Sequence, residues 1–136
     1  MANSLKLEIV TPQGVVIYEN VDMVTLPAVD GQIGVYPEHV RLNTQIVPGE
    51  LVVNAGGQER LMALGEGLAD VTATHVAIVT DMAVPAEQID EARVEEARQR
   101  AAARLLEKIS DEEVASVKAS LARSLAQLQI TRRRRM

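Results

Sequence analysis

Up to about residue 85, apolar positions come in short β-branched runs: Leu5 to Val10, Val15 to Tyr18, Val21 to Leu26, Leu51 to Asn54, Leu68 to Thr72 and Val76 to Thr80. In the first run Leu5, Leu7 and Ile9 alternate with Lys6 and Glu8, the period of a strand with one buried and one wet face. Thr11, Pro12, Gly14, Pro27, Gly31, Pro48, Gly49, Gly56 and Gly57 bound these runs. Many short strands punctuated this way predict a β-sandwich or flattened barrel. Further on the period lengthens. Val114, Val117, Leu121, Leu125 and Leu128 form an a/d stripe on one helix face. Ser110 and Glu113 ahead of it have the spacing of a capping box, which starts this helix at about Ser110. An earlier helix, roughly Ile89 to Glu107, carries a thin face of Ala97, Ala101 and Leu105 flanked by Ala102 and Leu106. Alanine buries little area, so a hairpin with this seam is marginally stable and able to detach.

Composition sharpens the division. All eight glycines and all five prolines lie at or before Pro85, and the 51 residues after it contain neither. Charge changes at the same place: ten acidic and three basic side chains up to residue 85, then nine acidic and eleven basic. The formal charge of -5 thus joins a strongly acidic part to a mildly basic one, each suited to a different partner. The expected organisation is a β domain over 1–85 and a helical hairpin over 86–136 with a basic tail, Arg132 to Arg135. A chain of 136 residues, 47% hydrophobic and 24% charged, has room for such a domain and its appendage, and it should fold.

Several chemistries are excluded or unsupported. Without cysteine there is no disulfide, thiolate metal site or cysteine nucleophile. Tyr18 and Tyr36 are the only aromatic residues, so a base-stacking platform is missing and nucleic acid is not an expected partner. The N-terminus lacks the pattern of a signal peptide, and no apolar run is long enough to span a bilayer. His39 and His75 stand apart from any metal-ligand pattern, and His75 is expected in a turn between strands. Gly65-Glu66-Gly67 reads as a tight strand connection rather than a phosphate loop. No catalytic acid, base, nucleophile or metal site is arranged, so catalytic residues: none, metal: none. The segment Gly31 to His39, with two glycines and a proline, predicts a shaped loop with a short strand, and by itself requires no ligand.

That segment nevertheless carries a resemblance. The run GQIGVYPEHVRLNTQIVPGEL is similar to a G-E-L-G-[IV]-x-P-G-H-A-P-L...T...PG segment of the epsilon subunits of F-type rotary ATP synthases. LGEGLADVTATHVAIVTD and QIDEAR resemble two further segments of the same family, in the same order. The likeness runs from about residue 5 to residue 130. Departures are Glu38 for a glycine, Val40 and Arg41 for Ala-Pro, Glu66 for a glycine, and Val94 for an alanine. The resemblance implies an α+β, mainly β chain: an N-terminal ten-stranded β-sandwich followed by a C-terminal antiparallel two-helix hairpin.

It also implies a non-catalytic central-stalk rotor subunit, coupling the catalytic F1 head to the c-ring, whose hairpin inhibits ATP hydrolysis. Its expected partners are the gamma subunit, the c-ring and the β and α subunits. Its expected place is the cytoplasmic face of the bacterial inner membrane, with a thylakoid or other energy-transducing membrane as the alternative, peripheral and not an obligate homo-oligomer. By position, Asp30, Gln32 and His39 fall in the c-ring and gamma contact loop, with Gln32 replacing a common acidic residue. Arg98, Arg104, Lys108 and Lys118 belong to a basic surface that the family sets against the β subunits. Read from the residues alone, that surface is a solvated face balanced by Glu91, Glu95, Glu96 and Glu107. Regulatory ATP binding, as in some members, would use Ile89, Asp90, Arg93, Arg100 and Arg123. Gln127 stands where another arginine is expected, which points to weak binding or none, and Asp90 reads equally as a plain N-cap. The competing reading is a free-standing ligand-binding β-sandwich with a helical dimerisation hairpin whose seam is Val114 to Leu128.

Overall fold

The computed structural model describes residues 4–134. Ten strands precede two helices: β1 Leu5–Thr11, β2 Gly14–Val21, β3 Met23–Ala28, β4 Gly31–Val35, β5 Leu42–Ile46, β6 Gly49–Ala55, β7 Gln58–Leu64, β8 Gly67–Val71, β9 His75–Thr80 and β10 Ala83–Pro85, then α1 Glu91–Leu105 and α2 Asp111–Arg134. A 3-10 turn, Ala86–Gln88, joins β10 to the helices. The strand order is β10-β7-β6-β3-β5-β8-β9-β1-β2, with β4 also on β3. β3 is the corner. Its first half pairs with β6 and its last residue, Ala28, with Ile46 of β5, so the ladder folds over into a sandwich. All contiguous pairs are antiparallel except β1 with β9, which run parallel.

Alternation fills the interior. Leu5, Leu7, Ile9, Val24, Leu26, Ile46, Leu51, Val53, Leu64, Val71, Val76 and Ile78 are fully buried in one cluster, built with no aromatic ring. The single run expected over Val21 to Leu26 is in fact two strands. The chain bends at Asp22, whose N–H donates to the Asn54 carbonyl at 2.8 Å while its carboxylate accepts from the Gly56 N–H at 2.9 Å. β5, β7 and β10 are additional to the apolar runs and complete the ten strands that the resemblance implies. β7 opens with Gln58, Glu59 and Arg60, which hide the apolar Leu61 to Leu64 behind a polar start. His75 begins β9 rather than lying in the turn before it.

The helices differ from expectation in extent and face. α1 begins after Asp90, whose Oδ1 accepts from the Arg93 N–H at 3.2 Å; Ile89 closes the preceding 3-10 turn instead of opening the helix. At α2, Ser110 Oγ accepts from the Glu113 N–H at 3.2 Å. The return half of the capping box is replaced, because the Glu113 carboxylate accepts from Arg104 Nη2 at 2.6 Å. Leu125 is 48% exposed, although it belonged to the expected stripe, and Leu106 of the α1 face is 90% exposed. The C-terminal half of α2 is covered from two directions, by α1 and by β6 and β7. Its buried arc therefore shifts to Ser124, Ala126, Leu128 and Ile130 and leaves Leu125 outside.

Candidate functional site

Between α1, the end of the 3-10 turn and the middle of α2 lies a cleft of about 370 Å³, walled by Val84, Gln88, Asp90, Arg93, Val94, Ala97, Arg100, Ser124 and Gln127. Arg93 and Arg100 are seven residues apart on α1, two turns and roughly 10.5 Å along one face. Both arginines line the cleft with Asp90, and neither has an ion-pair partner among the described residues. Elsewhere Arg98, Arg104, Arg123 and Arg133 each hold a carboxylate. Two unpaired cations with side-chain amides beside them make a site for an anion carrying hydrogen-bond acceptors.

The five positions assigned to nucleotide binding are thus divided. Asp90, Arg93 and Arg100 come together in the cleft, with the Asp90 carboxylate already engaged in capping α1. Ile89 packs instead into an apolar cluster with Ala63, Ala86 and Ile130. Arg123 turns away, its Nη1 donating to Asp81 Oδ2 at 3.1 Å. Gln127 does line the cleft, and its Nε2 lies 3.3 Å from Met82 Sδ. Gln88 and Ser124 carried no sequence signal, since a lone amide and a hydroxyl acquire meaning only when folding sets them opposite the arginines.

The basic surface is partly neutralised by its own carboxylates. Arg98 donates to both oxygens of Glu95, at 3.0 and 2.5 Å. Hydrogen bonding from Arg98, against a smaller opposing effect of desolvation, holds the Glu95 carboxyl below its usual range. The same bond raises Arg98. Arg104 is raised by its hydrogen bond to Glu113 and next by that to Glu107, so it ties the end of α1 to the start of α2. Lys108 and Lys118 are exposed.

Of the three positions assigned to a single contact loop, Asp30 and Gln32 lie together and His39 apart. Asp30 sits in the β3–β4 turn, Gln32 in β4 opposite Pro27, and His39 beyond the far end of β4 with its Nδ1 2.7 Å from the Val40 carbonyl oxygen. β4 is five residues long and spans roughly 15–17 Å, so Asp30 and His39 stand at opposite ends of it. Gln32 shares a groove with Glu50, Gln129, Arg132 and Arg133, under the end of α2. In the basic run Arg132 to Arg135, Arg135 lies outside the described residues. Arg133 donates to Glu50 and has Nη2 3.5 Å from Glu59 Oε1. These contacts were invisible in sequence, because their partners are 83 and 74 residues away. Among the described residues no group of His, Asp and Glu could hold a metal ion, and no helix is long and apolar enough to cross a membrane.

Comparison with known proteins covers nearly the whole chain. The beta-sandwich domain of the ATP synthase delta/epsilon chain matches residues 4–86, and the long alpha-helix domain of the same chain matches residues 87–132. The ATP synthase epsilon chain of Herpetosiphon aurantiacus is 38% identical over 131 residues, covering 96% of each chain. That of Desulforamulus reducens is 40% identical over 114 residues, covering 84% of this chain and 86% of its own. Among solved structures, a chain in the Euglena gracilis mitochondrial ATP synthase superposes with a TM-score of 0.77 at 24% identity, covering 95% of this chain and 81% of that one, a likeness of fold.

Proposed function

The chain belongs to the delta/epsilon chain family of ATP synthase, as a non-catalytic subunit of that complex, and from that premise we propose that it serves in the central-stalk rotor that couples the catalytic head to the c-ring. The observation that carries this reading is the succession of two matched domains over residues 4–132. The sandwich would bind the gamma subunit and rest on the c-ring. Asp30 and Gln32, at one end of β4, would contribute to one contact, and His39 at the other end to another. Such a role sets the chain at the cytoplasmic face of a bacterial inner membrane. A tagged copy isolated from native membranes should bring down gamma, α, β and c subunits. Recovery of a stable homodimer without them would favour the free-standing sandwich instead. Cysteine at position 32 should crosslink to a c subunit; no crosslink in a functional complex would remove Gln32 from that contact.

In this role the hairpin restrains ATP hydrolysis by presenting Arg98, Arg104, Lys108 and Lys118 to acidic surface of the β subunits. Arg98 and Arg104 must exchange Glu95, Glu107 and Glu113 for the partner's carboxylates, whereas Lys108 and Lys118 have no carboxylate to give up among the described residues. Exchange of one exposed ion pair for another gains little, so the restraint should be mild and weaken with salt.

A regulatory nucleotide is the second element. The unpaired Arg93 and Arg100 in a cleft within the roughly 300–1,000 Å³ range of small-molecule sites support a phosphate-bearing ligand. With Gln127 in place of a third cation and Arg123 held by Asp81, affinity for ATP should be low. Isothermal titration with millimolar ATP tests it: absence of heat removes the nucleotide and leaves the rotor role standing.

A further inference from the structure

Helix α2 is 24 residues long, yet it meets the sandwich over a short stretch. The apolar contact centres on Ile130, fully buried with Ala63 and Ala86 and bordered by Leu61, Met82 and Ile89, in a cluster distinct from the main core. One isoleucine against two alanines and three half-buried neighbours removes little area from water. What flanks that contact is charged. Seven residues before Ile130, Arg123 reaches Asp81 in the turn after β9 at 3.1 Å; three residues after it, Arg133 reaches Glu50 on β6 and Glu59 on β7. The two arginines are ten residues apart, roughly 15 Å along the helix, and straddle the apolar contact.

The two points are not equal. The Asp81 and Arg123 side chains are 37% and 34% exposed, and a pair that wet contributes little. Glu50 is different: its side chain is 9% exposed, with Arg133 as its cation. A carboxylate so withdrawn from water is tolerated while that cation stays in place. Three arrangements follow. With α2 down and Arg133 present, Glu50 is paired; with α2 lifted, Glu50 and Arg133 are both hydrated. With α2 down and the guanidinium missing, Glu50 has lost its ion pair while the helix still keeps it largely from water, with Arg132 the other cation in its groove, and that arrangement is disfavoured against both others.

We propose that Arg133, bridging Glu50 and Glu59, is a charge latch that holds α2 on the β6–β7 face, with Arg123 and Asp81 as its weaker second point. Docking of the hairpin then depends on these pairs, and so on ionic strength, as well as on the apolar contact at Ile130. The latch is a property of this chain alone and stands apart from what the hairpin does to hydrolysis.

The chain lacks cysteine, so Ala115→Cys and Gln58→Cys, both at exposed positions, give a clean pair of spin-label sites on α2 and β7 of the full-length protein. Pulsed electron resonance should find one narrow distance distribution at low salt and a growing second population at about 1 M salt, where the screening length falls to about 3 Å. Arg133→Gln should raise the ratio of undocked to docked molecules at low salt by about tenfold, a figure kept modest because Arg133 is half exposed. Adding Glu50→Gln should restore docking and remove most of the salt dependence, because the stranded charge is gone. The proposal is overturned if Arg133→Gln leaves the distance distribution as in the parent, or if the double variant remains as undocked as the single one. Thermal unfolding of the strands, unchanged in both variants, separates release of the helix from loss of the fold.

Discussion

A β-carbon placed on Gly65 would lie 1.8 Å from Oδ1 of Asp81, the carboxylate whose other oxygen holds Arg123 of α2 at 3.1 Å. The tight connection between β7 and β8 thereby leaves room for the side chain that receives the helical hairpin.

Gly65→Ala should push the Asp81 carboxylate aside, since a side-chain end moves more readily than backbone. The sandwich should lose about 1 kcal/mol or less, while the Arg123 contact weakens. Gly67→Ala meets the Val79 carbonyl oxygen at 2.0 Å, where no rotamer change relieves the overlap. It should cost about 2–3 kcal/mol. Denaturant unfolding of the two variants side by side checks the order; equal costs would contradict it.

Glu38 has φ 69°, the left-handed region in which a β-carbon is unfavourable. Glu38→Gly should therefore stabilise the fold by about 0.5–1 kcal/mol, read as a higher midpoint in thermal unfolding. An unchanged or lower midpoint would show that contacts of the Glu38 side chain outweigh the backbone strain.

Ile130→Ala should act on docking rather than on the whole fold, because Ile130 belongs to the small cluster under α2 and not to the sandwich core. About 2–4 kcal/mol of contact free energy is at stake. Hydrogen exchange should quicken along α2 while the amides of β1 and β9 keep their protection. Loss of protection in both regions would mean that hairpin and sandwich unfold together.

Gln127→Arg would place a third guanidinium in the cleft with Arg93 and Arg100. A charge-assisted bond to phosphate is worth about 1.5–3 kcal/mol, so ATP affinity should rise by at least about tenfold. Titration calorimetry on the variant and the parent reads the difference; equal weak heats would argue that the cleft does not receive phosphates.

The lowered Glu95 carboxyl gives α1 a small pH-dependent contribution. A carboxyl whose folded value is depressed contributes stability above its unfolded range, and that contribution is lost as pH falls through the folded value. Helical signal should therefore decline as pH drops below the ordinary carboxylate range, and Glu95→Gln should reduce that decline.

Much of the chain was legible by period alone. Leu5, Leu7 and Ile9 alternate in sequence and are fully buried in β1; the capping residue Ser110 and the start of α2 follow from one hydroxyl at the right spacing. Signals that depend on a partner were read less well. Leu125 fits a helical stripe yet is exposed, because two surfaces rather than one cover α2 and rotate its buried arc. Glu113 fits a capping box, but Arg104 across the hairpin loop offers its carboxylate a charged donor.

By itself the sequence determined that strands come first, that Gly and Pro cease at Pro85, that two helices follow, and which family's motifs the chain carries. Those properties are local: side-chain period, turn chemistry and capping act within a few residues of chain. Tertiary structure alone decided that Asp30 and His39 lie at opposite ends of β4, that Arg93 and Arg100 face a cleft whose one carboxylate, Asp90, caps α1, and that Arg133 reaches Glu50. The first follows from the pairing of β4 with β3 and the other two from how α2 is laid against α1 and across β6 and β7, placements set largely by contacts between residues far apart in the chain, which no local pattern encodes.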